Sequence, residues 1–166
     1  MKKYYLVQNA IVRKESFGVI VLLRNGSRFS FSQKYFDIIK SCTGKTIADI
    51  KSSTTLTEKE IQDFLKVAYE KNIIQEKRPQ SVGRVIEATS FIKNSLISPR
   101  FVALEVTEKC NLKCKHCYTS AKATQCKFLP KETVFKLIDE LSLYGTEFIA
   151  IGGGEPLLYP YIYEVI

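Results

Sequence analysis

Three cysteines fall within eight residues, at Cys110, Cys114 and Cys117, and this cluster constrains the chain more than any other feature. It follows an apolar run, Phe101–Val106, that reads as a strand. Five cysteines in a chain without a secretion signal argue against a disulfide framework and for metal binding. The start, Met1 to Asn9, has basic residues but no apolar stretch of signal-peptide length, and no apolar run reaches the roughly 20 residues of a membrane span. A cytoplasmic location is expected, with no membrane partner.

Thiolates ligate iron–sulfur clusters, and four saturate a [4Fe-4S] cubane. Three on one loop leave one iron open. Lys109, Lys113 and Lys115 interleave with the cysteines and favour the thiolate forms. A tetrahedral zinc site from Cys110, Cys114, Cys117 and Cys126, with His116 as a substitute, is the rival reading. It leaves the glycine-rich run Gly152-Gly153-Gly154-Glu155-Pro156 unexplained. Cys126 otherwise reads as an incidental loop thiol. His116 is the sole histidine, which excludes metalloprotease helices; it suits packing near a cofactor better than base catalysis.

Between the cysteines and that run, Val134, Leu137, Ile138 and Leu141 mark a helix over 131–144, with Pro130 at its start and Gly145 at its end. Glu147–Ile151 reads as the next strand. Strand, helix and strand with short joins predict a βαβ unit with parallel strands, so both loops follow C-terminal strand ends.

The segment Cys110-Asn111-Leu112-Lys113-Cys114-Lys115-His116-Cys117-Tyr118, preceded by Leu104-Glu105-Val106-Thr107, resembles the signature loop of radical S-adenosylmethionine (SAM) enzymes. The likeness is strongest to the peptide-maturing subgroup that often carries a SPASM domain. Gly153-Gly154-Glu155 resembles that family's Gly-Gly-Glu motif. The resemblance implies an enzyme with two cofactors, a [4Fe-4S] cluster on Cys110, Cys114 and Cys117, and SAM. Gly153, Gly154 and Glu155, with His116 and Tyr118, would contact SAM. It also implies an external one-electron reductant, reductive cleavage of SAM, and hydrogen abstraction from a substrate by a 5′-deoxyadenosyl radical. A full barrel takes roughly 200 residues or more. Residues 99–166 would therefore be only the start of a radical SAM core, unstable and inactive alone, and the chain reads as truncated.

The first half reads differently. Residues 1–80 hold 15 Lys/Arg against 8 Asp/Glu, which favours an anionic partner. Strands are expected at Ile11–Glu15, Val19–Leu23 and Arg28–Ser32, the last two joined by a type I′ turn at Asn25-Gly26. Helices follow over Gln33–Cys42, with Cys42 on its core stripe, over Ile47–Ser52, and from Thr57 to Lys71 behind a Thr57/Glu60 capping box. These elements suggest a winged-helix-type domain over 1–78, and residues 79–98 read as a linker with a helix possible over Val82–Ile97. The expected fold class is thus an α+β winged-helix-type N-terminal domain followed by the first βαβ part of an α/β radical SAM partial TIM barrel.

Ile11-Val12-Arg13, Phe17-Gly18, the hairpin, Ile38-Ile39, Gly44–Ile50 and Tyr69–Ile74 resemble the RiPP recognition element, the domain that binds leaders of ribosomally made, post-translationally modified peptides. The resemblance implies that a precursor's leader adds as a strand at Arg28–Ser32 and packs on Thr57–Lys71. A DNA-binding winged helix is disfavoured because Thr57–Lys71 carries Glu58, Glu60, Asp63 and Glu70 against Lys59, Lys66 and Lys71. The remaining alternatives are a structural N-terminal domain, and a radical SAM enzyme for a small molecule or folded protein.

Overall fold

The alternating segments of the first half pair as their periodicity requires. The computed structural model describes residues 1–87 and 95–166 and separates two units, Met1–Ile97 and Ser98–Ile166. In the first, β1 (Tyr4–Leu6) precedes a meander of β2 (Ile11–Glu15), β3 (Gly18–Leu22) and β4 (Arg28–Phe31). Val21 faces Phe29 and Val19 faces Phe31 across the antiparallel pair β3–β4.

The turn between β3 and β4 departs from type I′. Gly26 takes φ 82°, whereas Asn25 stays outside the left-handed region. Leu23 N–H donates to Ser27 O at 3.0 Å and Gly26 N–H to Leu23 O at 2.9 Å. This is a three-residue loop closed by a left-handed glycine. Asn25 acts through its side chain, whose Oδ1 accepts from Ser27 N–H at 2.9 Å. The turn also fixes which main-chain groups face where. With Leu23 and Ser27 bonded, the alternation of an antiparallel ladder aims Phe29 and Phe31 at β3 and turns the Ser30 main chain outward.

A 3-10 turn (Gln33–Tyr35) leads into α1 (Phe36–Ser41), so the expected first helix is shorter and begins irregularly. After β5 (Thr43–Lys45), α2 (Ile47–Lys51) is capped by Thr46 and Asp49. The Thr57/Glu60 box caps α3 (Glu58–Glu70): Thr57 N–H donates to Glu60 Oε2 at 2.9 Å, and Glu60 N–H to Thr57 Oγ1 at 3.3 Å. That backbone donation holds the Glu60 carboxyl below its usual range. β6 (Ile74–Gln75) then joins β1 and β5 in a second sheet, ordered β5-β1-β6. Leu6, Val12, Val21, Ile39, Ile61 and Leu65 bury their side chains in one core. Cys42 lies there too, its Sγ 3.2 Å from Ile38 O, and burial pushes its thiol up to about 12.

The expected linker contributes to this unit. β7 (Arg84–Glu87) pairs in parallel with β2, giving the order β4-β3-β2-β7. Glu87 secures it through Lys14 at 2.5 Å and Lys40 at 3.0 Å. Residues 84–87 are therefore strand rather than helix, and the rest of the Val82–Ile97 expectation falls largely on 88–94, outside the described residues. β2 also carries a buried ion pair, Arg13–Glu15 at 2.7 Å, and Glu15 Oε2 accepts from Ile97 N–H at 2.8 Å.

The second unit is the expected βαβ. β8 (Phe101–Thr107) pairs in parallel with β9 (Phe148–Gly153), with Phe101 against Phe148 and Leu104 against Ile151. Between them α4 (Lys131–Leu143) buries Val134 with Leu104 and Val106. Pro130 is its N-cap residue. Its end is a Schellman motif: Gly145 has φ 77°, and Thr146 N–H reaches Leu141 O at 2.9 Å. A short α5 (Ile162–Val165) follows, bound by a Lys131–Glu164 ion pair. Among the described residues, only one face of this sheet is covered. Phe101 is 57% exposed and Phe148 51%. Among the described residues, no helix is long and apolar enough to cross a membrane.

Candidate functional site

Parallel pairing brings the C-terminal ends of β8 and β9 side by side, and main-chain bonds stitch the two following loops together. Gly154 N–H donates to Thr107 O at 2.7 Å, and Glu155 N–H donates to Lys109 O at 2.8 Å. The return limb of the cysteine loop closes the other side. Glu108 N–H reaches Lys127 O at 3.1 Å, and Leu129 N–H reaches Val106 O at 2.9 Å. Thr107, itself buried, accepts from Lys109 N–H on Oγ1 at 3.0 Å. The residue just before Cys110 is thus held from several directions.

The glycines make this stitching possible. A Cβ on Gly153, whose φ is 123°, would sit 2.2 Å from Thr107 O, and one on Gly154 would sit 2.2 Å from Lys109 O. Both distances are far inside van der Waals contact. The close approach seen here is to the backbone of Thr107–Lys109. Gly152 meets nothing within 4 Å.

The three clustered thiols differ in setting. Cys110 is buried at the loop root, and its Sγ accepts from Leu112 N–H at 3.4 Å. Cys114 and Cys117 are exposed near the tip. Cys117 Sγ lies 3.4 Å from Thr119 Oγ1. That hydroxyl, followed by the Ala121 amide, holds the Cys117 thiol below its ordinary range. Among the described residues, no three Cys, His, Asp or Glu side chains converge as a single ion demands. A cubane asks for something wider, because each thiolate takes a different iron. Three cysteines on one loop with a fixed root fit that donor set. Cys126 is exposed, with Sγ 3.8 Å from Thr124 O, and His116 is exposed. Glu155 caps its own 3-10 turn (Pro156–Leu158) by accepting from Leu157 N–H at 3.2 Å. A carboxylate accepts about four hydrogen bonds, so it retains capacity for an ammonium group.

One pairing was not legible as a pairing in the sequence. Tyr118 Oη donates to Glu105 Oε1 at 3.3 Å, and the carboxylate charge raises the tyrosine's pKa. Glu105, Thr107, Tyr118, Gln125, Gly153 and Gly154 all line a cavity of about 360 Å³. The signal was a lone carboxylate in the apolar run Phe101–Val106, on the same side as the exposed Phe101 and Ala103.

In the first unit, β4 and β7 are the two outermost strands of their sheet among the described residues, and α3 lies beside β4. Phe64 of α3 meets Phe31 edge-on at 5.2 Å and stacks on Tyr35 at 4.4 Å. Lys71 Nζ stands 4.9 Å over the Phe29 ring. Val67 is 39% exposed on the same helix.

Residues 104–166 match the Radical SAM superfamily. Among curated proteins, the chain is similar to S-adenosylmethionine-dependent nucleotide dehydratase of Flammeovirga pacifica, at 34% identity over 70 residues, covering 39% of this chain and 24% of that protein. It is also similar to mycofactocin maturase MftC of Mycobacterium ulcerans, at 33% identity over 86 residues, covering 52% of this chain and 22% of that protein. Among solved structures it resembles Streptococcus suis SuiB bound to precursor peptide SuiA. The TM-score is 0.64 at 19% identity, covering 99% of this chain and 39% of that one. That likeness is one of fold, and it extends through both units. The chain spans about a quarter or less of the curated relatives it matches. The matched residues make up nearly all of the second unit, and enzymes of that superfamily use a [4Fe-4S] cluster and S-adenosylmethionine.

Proposed function

We propose that this chain is part of a radical SAM enzyme that matures a ribosomally made peptide, with the first unit binding the precursor's leader. In this reading Cys110, Cys114 and Cys117 hold three irons of the cluster. Glu155 faces the ammonium of SAM, beside Gly153 and Gly154, with His116 and Tyr118 near the cofactor. Bound there, the cluster supplies one-electron reductive cleavage of SAM, and an external reductant replenishes the electron. The chain's own part is to fix the loop root through Thr107, Lys109 and the two glycines, and to present Cys117 toward thiolate form.

One observation carries the peptide reading: the outward-facing main chain of Ser30 on an outermost strand, flanked by α3. Such an edge takes an extended peptide by strand addition, and pockets beside it give specificity. The first unit fits a winged-helix-type recognition element in having this strand and a third helix packed against it through Phe31, Tyr35 and Phe64. The net +7 of residues 1–80, 15 basic less 8 acidic, suits an acidic leader. Fold likeness to SuiB with its precursor peptide bound, over both units, supports the same reading. Small-molecule enzymes also appear among the relatives, with a match over 39% of this chain against 52% for the maturase.

The test is titration of the chain with the leader of a precursor encoded beside it, and separately with duplex DNA. Ser30→Pro removes an outward N–H while leaving the Phe29 and Phe31 bonds to β3. It should weaken leader binding at least about tenfold with an unchanged circular dichroism spectrum, since it deletes one ladder bond and clashes with the added strand. Salt should weaken binding further, because screening shortens the field to about 10 Å near 0.1 M. Binding to DNA and none to leader would overturn the proposal.

A further inference from the structure

The cysteine loop leaves β8 at Thr107 and passes Tyr118 before returning, so its two limbs need separate fastening. The Cys110 limb is fastened by main chain, through Glu155 N–H on Lys109 O at 2.8 Å. Around Cys117 itself, from Asn111 to Ala121, no main-chain bond back to β8 is among those the structure describes; the returning limb is tied only further on, where Cys110 N–H reaches Lys122 O at 3.4 Å and Glu108 N–H reaches Lys127 O at 3.1 Å. What reaches back is a side chain: Tyr118 Oη, on Glu105 Oε1 at 3.3 Å. Glu105 is well suited to receive it. It lies opposite Gly152 in the β8–β9 register, on the exposed side of the sheet, where no bulky neighbour blocks a tyrosine. Tyr118 is 81% exposed, so packing does not explain its position. Both side chains line the cavity that also includes Gly153 and Gly154.

We propose that Glu105 is a positioning residue that, by accepting the Tyr118 hydroxyl, holds the limb bearing Cys117 over the end of β8. This rests on the reading of Cys117 as a cluster ligand. Two contacts from the residues just after it bear on the sulfur: Tyr118 fastens the chain immediately after it, and Thr119 Oγ1 contacts Sγ itself at 3.4 Å. Cys114 has no such fastening among the described contacts. The three thiols therefore differ in how far the chain prepares them. The root thiol is fixed by the backbone, the third by the Glu105–Tyr118 bond, and the middle one by the cluster alone.

The experiment follows cluster retention rather than turnover. Cluster-loaded protein is challenged anaerobically with an iron chelator, and loss of the visible absorbance band is timed. Glu105→Ala and Tyr118→Phe should each lose the cluster on the order of threefold to tenfold faster, the range that one net hydrogen bond supplies. Combining them should add little, because both remove the same bond. Glu105→Gln should stay near the parent rate, since its amide oxygen still accepts the hydroxyl. Wild-type retention in Glu105→Ala overturns the proposal, and so does a Gln variant as labile as the Ala variant. Cys117→Ala serves as the separate control. If that variant keeps a SAM-responsive cluster, the ligand reading fails first, and the fault lies there rather than with Glu105.

Discussion

Leu65 and Val134 hold corresponding places, each on the inner face of the helix that packs on its unit's core, yet their surroundings differ. Leu65 sits in a core closed by two sheets and three helices, with Leu6, Ile39 and Ile61 inaccessible beside it. Val134 sits on the covered side of a two-stranded sheet whose other side exposes Phe101 and Phe148. The candidate sites differ in the same sense. In the first unit the site is the edge of a finished core, so its shape depends on side-chain packing. In the second it is two loops stitched main chain to main chain, so its shape depends on where a Cβ is absent. Packing mutations should therefore damage one site and backbone mutations the other.

The largest effect that would sharpen this contrast is on the cluster. Cys110→Ala, Cys114→Ala or Cys117→Ala should each abolish the SAM-responsive cluster after anaerobic reconstitution, read by electron paramagnetic resonance. Cys42→Ala and Cys126→Ala should retain it; a SAM-responsive cluster in Cys114→Ala would break the assignment. Next, Leu65→Ala should destabilise the first unit by about 2–5 kcal/mol in denaturant titration. Phe148→Ala, on the exposed face, should stay within about 0.5 kcal/mol. Equal losses would show that the open face is covered in solution. Gly154→Ala should follow, with about 1–3 kcal/mol of steric overlap against Lys109 O confined to the loop root. Iron content should fall while the first unit's melting is unchanged.

Limited proteolysis addresses the same contrast. The resistant fragment should retain β7 and end beyond Glu87, rather than stopping near residue 78, where the sequence places the end of the first domain. Thr57→Ala should cost about 1 kcal/mol by uncapping α3. The smallest expected effect is on pH. Hydrogen bonds from Lys14, then Lys40, hold the Glu87 carboxyl below its ordinary value. Its contribution to β7 docking is therefore present above the usual carboxylate pKa and lost as pH falls through the lowered one. The Ile86 amide resonance should report that loss, and Glu87→Gln should flatten the dependence.

Elements with a strong period were legible. The α3 stripe at Ile61, Phe64, Leu65 and Ala68 is buried as its spacing required, and both reciprocal bonds of the Thr57/Glu60 box form. β1, β5 and β6 were not legible because three, three and two residues are too few to show alternation. β7 was hidden for another reason. Its sequence, Arg84-Val85-Ile86-Glu87, has no alternation, and its partner lies far up the chain. The Asn25-Gly26 turn was recognised as a hairpin but not as its type, since the Asn25 side chain bond to Ser27 N–H has no sequence signature distinct from type I′. At the second site, residue types were legible, but the partners of the glycines were not. Only parallel register brings Gly153 and Gly154 against Thr107 and Lys109.

The parallel strand β7 also sets an order of events during synthesis. Lys14 and Glu87, paired across β2 and β7, are 73 residues apart in the chain. The β2–β3–β4 meander needs only short loops and pairs while still near the ribosome, whereas closing so long a span is slow. A nascent chain halted before residue 84 thus carries a meander open at both margins, with β2 and β4 each able to template a stranger's strand. Arrival of β7 shuts the β2 margin and moves the sheet's open margins, among the described residues, to β4 and β7.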